Sequence, residues 1–418
     1  MTSRHRLDSD EPSRRIGLAL AGGGPEGSVY EIGAVRALDE AVEGADFTRL
    51  GVYVGVSAGA FIASCLANGI STAQLCRAIF KPEPGEHPFV PETFLSPAVG
   101  EFVRGGLRLP GLLAEAMWDW IRHADDRGLL DSLTRLSRAL PVGIFKNAPI
   151  RSYLERIFAR PGRTNDFRRL GHRLVVVATD LDSGLAARFG EPGLDHVPIS
   201  QAVQASTALP GLYPPVLIEG RHYVDGVLLK TVHASVALDH GADLVLCVNP
   251  IVPVDTVRSV ERGIMRRGRL ADRGLPTVLS QTFRTIIHSR MGVGLAAYET
   301  RYVGKDVLVF EPRRDDYEMF FTNVFSFAKR KAICEHAYRS TRRKLWRNRE
   351  RLALVLERHG LRLRTEILED AERDLWQSVA LHERRGRSRP PVAERLERAL
   401  DDLGEMVRTL GPGADGQT

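Results

Sequence analysis

Twice near the start of the sequence an uncharged apolar run breaks at glycine and continues as small residues with helical spacing. The first run, Ile16 to Ala21, ends in Gly22-Gly23-Gly24 and leads into Val29, Ile32, Val35 and Leu38 at helical intervals. The second, Gly51 to Val56, breaks at Ser57-Ala58-Gly59 and continues as AGAFIASCLANG. A strand that is apolar on both sides must be covered on both faces, and a strand that passes straight into a helix returns parallel to itself. The two units therefore predict the α/β class: a three-layer α/β/α sandwich around a mostly parallel sheet. Leu50 to Cys76 carries no charge and is long enough to span a bilayer. Its glycines, serines, Asn68 and Gln74 suit a buried strand and helix instead.

Further along, Arg173 to Thr179 (RLVVVAT) reads as a strand with a partner at Leu185 to Phe189 across the turn Asp182-Ser183-Gly184. A helix follows near Ile199 to Ala208 and stops at Pro210. Tyr223-Val224 leads to Asp225-Gly226, then a helical pattern runs to His240, and Leu244 to Val248 is a buried strand. These signals divide the chain into a short disordered arm at 1–15, a catalytic domain at 16–250, a helical extension at 251–345 and a charged, partly flexible helical tail at 346–418. Within the catalytic domain, 80–150 is irregular and proline-rich, with an amphipathic piece holding Trp118 and Trp120, as expected of a helical insertion or lid.

At 418 residues, 43% apolar and 26% charged, the chain can bury a large core and is not disordered as a whole. Cys65, Cys76, Cys247 and Cys334 have neither a disulfide-framework nor a metal-ligand spacing, so no metal is expected and a reducing, cytoplasmic setting fits. The arm MTSRHRLDSDEPSRR lacks the apolar core of a signal or anchor. The net charge is +6, and from Lys329 onward 21 basic residues face 15 acidic ones, so this stretch accounts for the whole excess. A solvated helical surface explains such a tail, and peripheral contact with an anionic membrane surface is the sharper reading. Nucleic acid is not expected, because basic residues and aromatics are not interleaved in any binding motif.

Gly55-Val56-Ser57-Ala58-Gly59 matches GxSxG, the turn that lifts a nucleophilic serine above the end of a strand. Gly55 and Gly59 flank the nucleophile because the turn leaves no space for side chains. Gly22-Gly23-Gly24-Pro25-Glu26-Gly27 matches GxGxxG and also joins a strand to a helix, where backbone N–H groups can hold a phosphate or a developing oxyanion. A dinucleotide site needs an acidic residue at the end of the next strand, and that strand ends at Ser57 instead. An oxyanion role explains both loops with one acyl-transfer reaction. The base that activates Ser57 is open at this level. Asp225, at a strand end before Gly226, is one candidate, and His222 or His233 in a three-residue relay is another.

The glycine loop, GVSAG, the stretch ASTALP (Ala205 to Pro210) through Pro214-Pro215, and the strand-end Asp225-Gly226 together resemble the patatin-like phospholipase family from about Ile16 to Pro250. That resemblance implies a Ser57–Asp225 dyad, an oxyanion hole formed in part by Gly23 and Gly24, a lipid or other acyl-ester substrate, an acyl-enzyme, and no cofactor. It departs from the family pattern at Glu26, where Arg or Lys is usual, and at Val227, where Gly or Ala is usual. The competing expectation is a catalytically weakened lipid- or partner-binding protein of the same descent.

Overall fold

The computed structural model describes residues 13, 15–80, 142–263, 269–316 and 327–379. The chain enters through strand β1 (Ile16–Leu20) and helix α1 (Gly24–Ala41), passes the two-residue strand β2 (Val42–Glu43), and returns through β3 (Val52–Val56), α2 (Ala58–Ala67) and α3 (Thr72–Phe80). After α4 (Ala148–Phe158) come β4 (Arg173–Asp180), β5 (Ala186–Phe189), α5 (Ile199–Ser206), β6 (Val216–Ile218) and β7 (Arg221–Asp225). Then follow α6 (Ala234–Asp239), β8 (Leu244–Val248), α7 (Thr256–Glu261), the long α8 (Leu275–Arg301) and β9 (Asp306–Phe310). The described part closes with α9 (Phe327–Arg347), α10 (Arg349–Arg358), β10 (Arg362–Leu363), α11 (Thr365–Glu369) and α12 (Leu375–Ser378).

β4, β3, β1, β8 and β9 lie side by side and all parallel. The chain steps outward from β1 through β3 to β4 and later returns to β8 on the other side of β1. Its topological switch point is therefore at β1, where the carboxyl ends of the strands open a crevice. β5, β7 and β6 complete the mixed sheet of eight strands in antiparallel pairings.

Alternation along the strands assigns the layers. Ala19, Ala21, Val54, Val56, Val177, Val245 and Cys247 turn to one face, where α6 covers them through Ala234, Val236 and Ala237, and α8 through Ile287, Met291 and Tyr298. The intervening Leu18, Leu20 and Leu246, also buried, turn to the face covered by α1 and α2. Each such side chain contributes roughly 1.5–3 kcal/mol by leaving water. α9 then lies directly on α1. A Cβ at Gly33 would stand 2.3 Å from the Cys334 carbonyl oxygen, so this approach requires glycine. At the far end of α1 the buried Glu40 carboxylate is held by Arg373 and Tyr338.

The sandwich and the helical C-terminal region are as the sequence implies. One difference falls at 251–345, expected to be helical, because Asp306–Phe310 (DVLVF) joins the sheet beside β8. A short β-branched run amid charged residues has too few positions to show its period, and it takes the open edge of an apolar strand. Most of the expected arm, the bulk of the 80–150 insertion with Trp118 and Trp120, and the tail beyond residue 379 lie outside the described residues. Among the described residues, no helix is long and apolar enough to cross a membrane.

Candidate active site

The register of three strands brings Ser57 and Asp225 together. β4 pairs with β3 through Val56 and Val177, and with β7 through Ala178 and Asp225. β5 pairs with β4 over Val176 to Thr179, so it occupies the edge of β4 opposite to both. β3 and β7 must then share one edge and meet end to end, and the residue after Val56 meets Asp225. The Ser57 side chain is thereby near enough to the Asp225 carboxyl to favour its ionised form.

Ser57 sits in the left-handed half of backbone space, at φ 53°, a costly conformation for a residue with a side chain. Its surroundings hold it there. Gly55 lies against the first turn of α2, where a Cβ would be 2.4 Å from the Ala60 Cα. Gly59 lies equally close to β1, with its N–H donating to the Ala21 carbonyl at 2.9 Å. The Ser57 N–H donates to Ser206 Oγ at 2.8 Å, and that hydroxyl donates to the Val177 carbonyl at 2.6 Å. Ser206 thus bridges β3 and β4 one step past their last pair.

Asp225 is pinned as fully. Its N–H donates to the Ala208 carbonyl at 3.0 Å, its own carbonyl accepts from Thr179 Oγ1 at 3.1 Å, and Oδ1 accepts from the Val227 N–H at 2.9 Å. Gly226 packs on the Val177 carbonyl, where a Cβ would be 2.3 Å away. Burial pushes the Asp225 carboxyl up to about 7, while the bond from Val227 and the nearby Ser57 side chain hold it from rising further.

The glycine loop forms the third wall. Gly22 runs so close to Ser57 that its Cβ would lie 3.2 Å from Ser57 Cβ and 3.2 Å from Val227 Cγ2. Gly23 caps α1 at φ 157°, Gly24 opens the helix at φ 61°, and Gly27 packs with Gly23 against Pro250. The first N–H groups of α1 and α2 have no partners inside their helices, so the two helix starts present donors at the ends of neighbouring strands. Among the described residues, no group of three His, Cys, Asp or Glu could hold a metal.

Residues 18–238 match the sequence profile of the family described as Patatin-like phospholipase. The chain belongs to the patatin-like phospholipase family. Similar solved structures include VipD from Legionella pneumophila, at 19% identity and a TM-score of 0.29, covering 60% of this chain and 53% of that one. The full-length ExoU–SpcU complex of Pseudomonas aeruginosa matches at 15% identity and TM-score 0.26, over 68% and 52%. Human GIVD cytosolic phospholipase A2 in complex with methyl gamma-linolenyl fluorophosphonate matches at 13% identity and TM-score 0.23, over 64% and 45%. This chain therefore spans about half the length of these three.

Glu26, the patatin-like loop's unusual residue, is partly buried. Burial pushes its carboxyl up to about 7, and the Arg284 guanidinium on α8 works in the opposite direction. The candidate histidines point elsewhere. His222 is half exposed and 4.0 Å from Asp182. His233 is fully enclosed, its ring directed at the backbone of Gly226 and Lys230, and burial lowers it to about 3. Its ring stays uncharged near neutral pH, and its buried Nε2 has no hydrogen-bond partner.

Ser206 and Ala208 were legible only as part of a motif. Their places follow from the fold, since ASTALP passes between the ends of β3 and β7 and ties one backbone N–H of each. Ser206→Ala would leave the buried Ser57 N–H and Val177 carbonyl without their partner, a cost of about 1–3 kcal/mol. A thermal melt should show that loss together with ester turnover down roughly tenfold, about 1.4 kcal/mol at the transition state. Parental values for both would remove Ser206 from the elbow.

Proposed function

We propose that the protein is a serine hydrolase of lipid acyl esters, of phospholipase, lysophospholipase or esterase type, acting through Ser57 and Asp225. The observation that carries this reading is the meeting of β3 and β7 on one edge of β4, which sets a strained serine beside a buried carboxyl. Ser57 Oγ attacks the ester carbonyl carbon as its proton passes to Asp225. The oxyanion forms where the N–H groups at the starts of α1 and α2 converge, with Gly23 and Gly24 on one side and Ala58 on the other. Asp225 returns the proton to the departing alcohol, leaving an acyl-serine. Water then loses a proton to Asp225 and attacks the acyl carbon, and the carboxylic acid leaves as Ser57 recovers its proton.

A carboxyl at about 7 suits this work. It is ionised often enough near neutral pH to accept the serine proton and basic enough to hold it. Glu26 is the residue that favours a non-catalytic binding role, because a carboxylate near the glycine loop opposes an oxyanion. With its carboxyl at about 7 and Arg284 acting against it, Glu26 is partly neutral or partly offset under the same conditions, and hydrolysis is the reading we keep. A fluorophosphonate probe separates the two. We expect stoichiometric labelling of Ser57, read by peptide mass, and none in Ser57→Ala. A folded chain that takes no label would support the binding protein.

A further inference from the structure

α8 carries apolar residues both toward the core and toward solvent. Its inner side carries Ile287, Met291 and Tyr298 into the core. Gln281, on the same side, donates to the Val254 carbonyl at 2.9 Å and accepts from the Val254 N–H at 3.0 Å. Leu275, Leu279, Phe283, Ile286 and Val293 lie toward solvent, each about half exposed or more. At 100° per residue these five fall within one stripe, beside the face that carries Ile287 and Met291 and turned away from it by roughly a quarter to a third of a circle. A helix on the surface of a globular protein ordinarily turns charged and polar residues outward.

The charge along the stripe is mostly basic. From Leu275 to Tyr298 there is no Asp or Glu, while Arg284 and Arg290 are present, and Arg269 and Arg273 precede the helix with Asp272 between them. The helix also borders the candidate site. Asn249, just past β8, donates to Met291 Sδ at 3.4 Å, Arg290 donates to the Leu228 carbonyl at 3.3 Å behind Asp225-Gly226, and Arg284 faces Glu26 of the glycine loop.

We infer that the outer stripe of α8 is the face by which the protein docks on an anionic phospholipid surface. Leu275, Leu279, Phe283 and Ile286 enter the boundary between headgroups and acyl chains, and Arg269, Arg273 and Arg290 meet the phosphates. Apolar insertion joined to basic flanks is the pattern of a helix that lies in a membrane interface. A second copy fits less well, because pairing two stripes would bring arginines together with no acid on the face to offset them. The inference deepens the lipid-ester reading by naming the surface that delivers substrate to Ser57.

Ser57→Ala protein, which cannot turn over lipid, should float with vesicles of phosphatidylcholine mixed with phosphatidylglycerol, and far less with phosphatidylcholine alone. Adding Leu279→Glu and Phe283→Glu should cut the floated fraction at least about tenfold while the melting temperature holds. With Ser57 intact, the same pair should leave turnover of a water-soluble ester unchanged. Equal flotation with and without the two substitutions, or no flotation of the parent, would overturn the docking face. So would sedimentation showing that the pair merely splits a dimer when no lipid is present. If the parent floats but hydrolyses no soluble ester, the hydrolase reading fails and the docking face stands.

Discussion

Asp225→Asn is expected to lower turnover of a p-nitrophenyl ester at pH 8 by about a thousandfold, within the range a general base supplies. Asn can still accept from the Val227 N–H, so the elbow should keep its shape while losing the atom that takes the proton. Two pH effects follow with opposite signs. Activity of the unaltered chain needs the ionised carboxylate, so it should rise through about pH 7 and then level off. Stability runs the other way. A carboxyl raised from 3.8 to about 7 by burial stabilises the folded chain fully below its unfolded value, and that contribution is lost as pH rises through about 7. Asp225→Asn should therefore melt higher than the parent at pH 8, by an amount corresponding to as much as about 4 kcal/mol. At pH 4 the two should melt alike. Retained turnover, or a variant that melts lower at pH 8, would show that Asp225 is a structural carboxylate.

Gly59→Ala should have an effect of similar size on folding. The added Cβ would meet the Ala21 carbonyl oxygen at 2.4 Å and the Leu20 carbonyl carbon at 2.5 Å, both backbone atoms of the central strand. Neither is the movable end of a side chain, and the Gly59 N–H to Ala21 bond ties the same two segments. To admit the methyl, α2 must retreat from β1, loosening the sheet at its centre and turning Ser57 away from Asp225. We expect a loss of about 3 kcal/mol or more in a denaturant titration and no measurable ester turnover. Gly69→Ala provides the comparison. Gly69 has open space around it, so the substitution costs only the strain of its positive φ and should spare activity.

Much of this arrangement is readable from the sequence because it depends on residues that can serve few other ends. Apolar runs that stop at Gly22 and at Ser57 fix two strand–helix units and place both turns at carboxyl ends of strands. The pairing of Ser57 with Asp225 is different. It depends on how far β3 and β7 each run along β4, and no spacing along the chain carries that number. The histidines illustrate the same limit, since burial is what keeps His233 uncharged. Ser206 acts through its hydroxyl on partners 149 and 29 residues away. β9 is hidden because five residues are too few to display a period. Glu26 stands out in sequence as a charge in the wrong place, whereas Arg284, which opposes it, lies far along the chain and is brought near only by α8 crossing the loops.

The contact of α1 with α9 sets a lower limit on what can be cut from this protein. The family match ends at residue 238, yet Gly33 meets Cys334 backbone to backbone, and β9 covers the edge of β8. A chain stopped at Pro250 would bare an apolar strand edge and one side of the helix that carries the glycine loop. Every residue proposed for the chemistry would remain in such a fragment, without the layer that covers it.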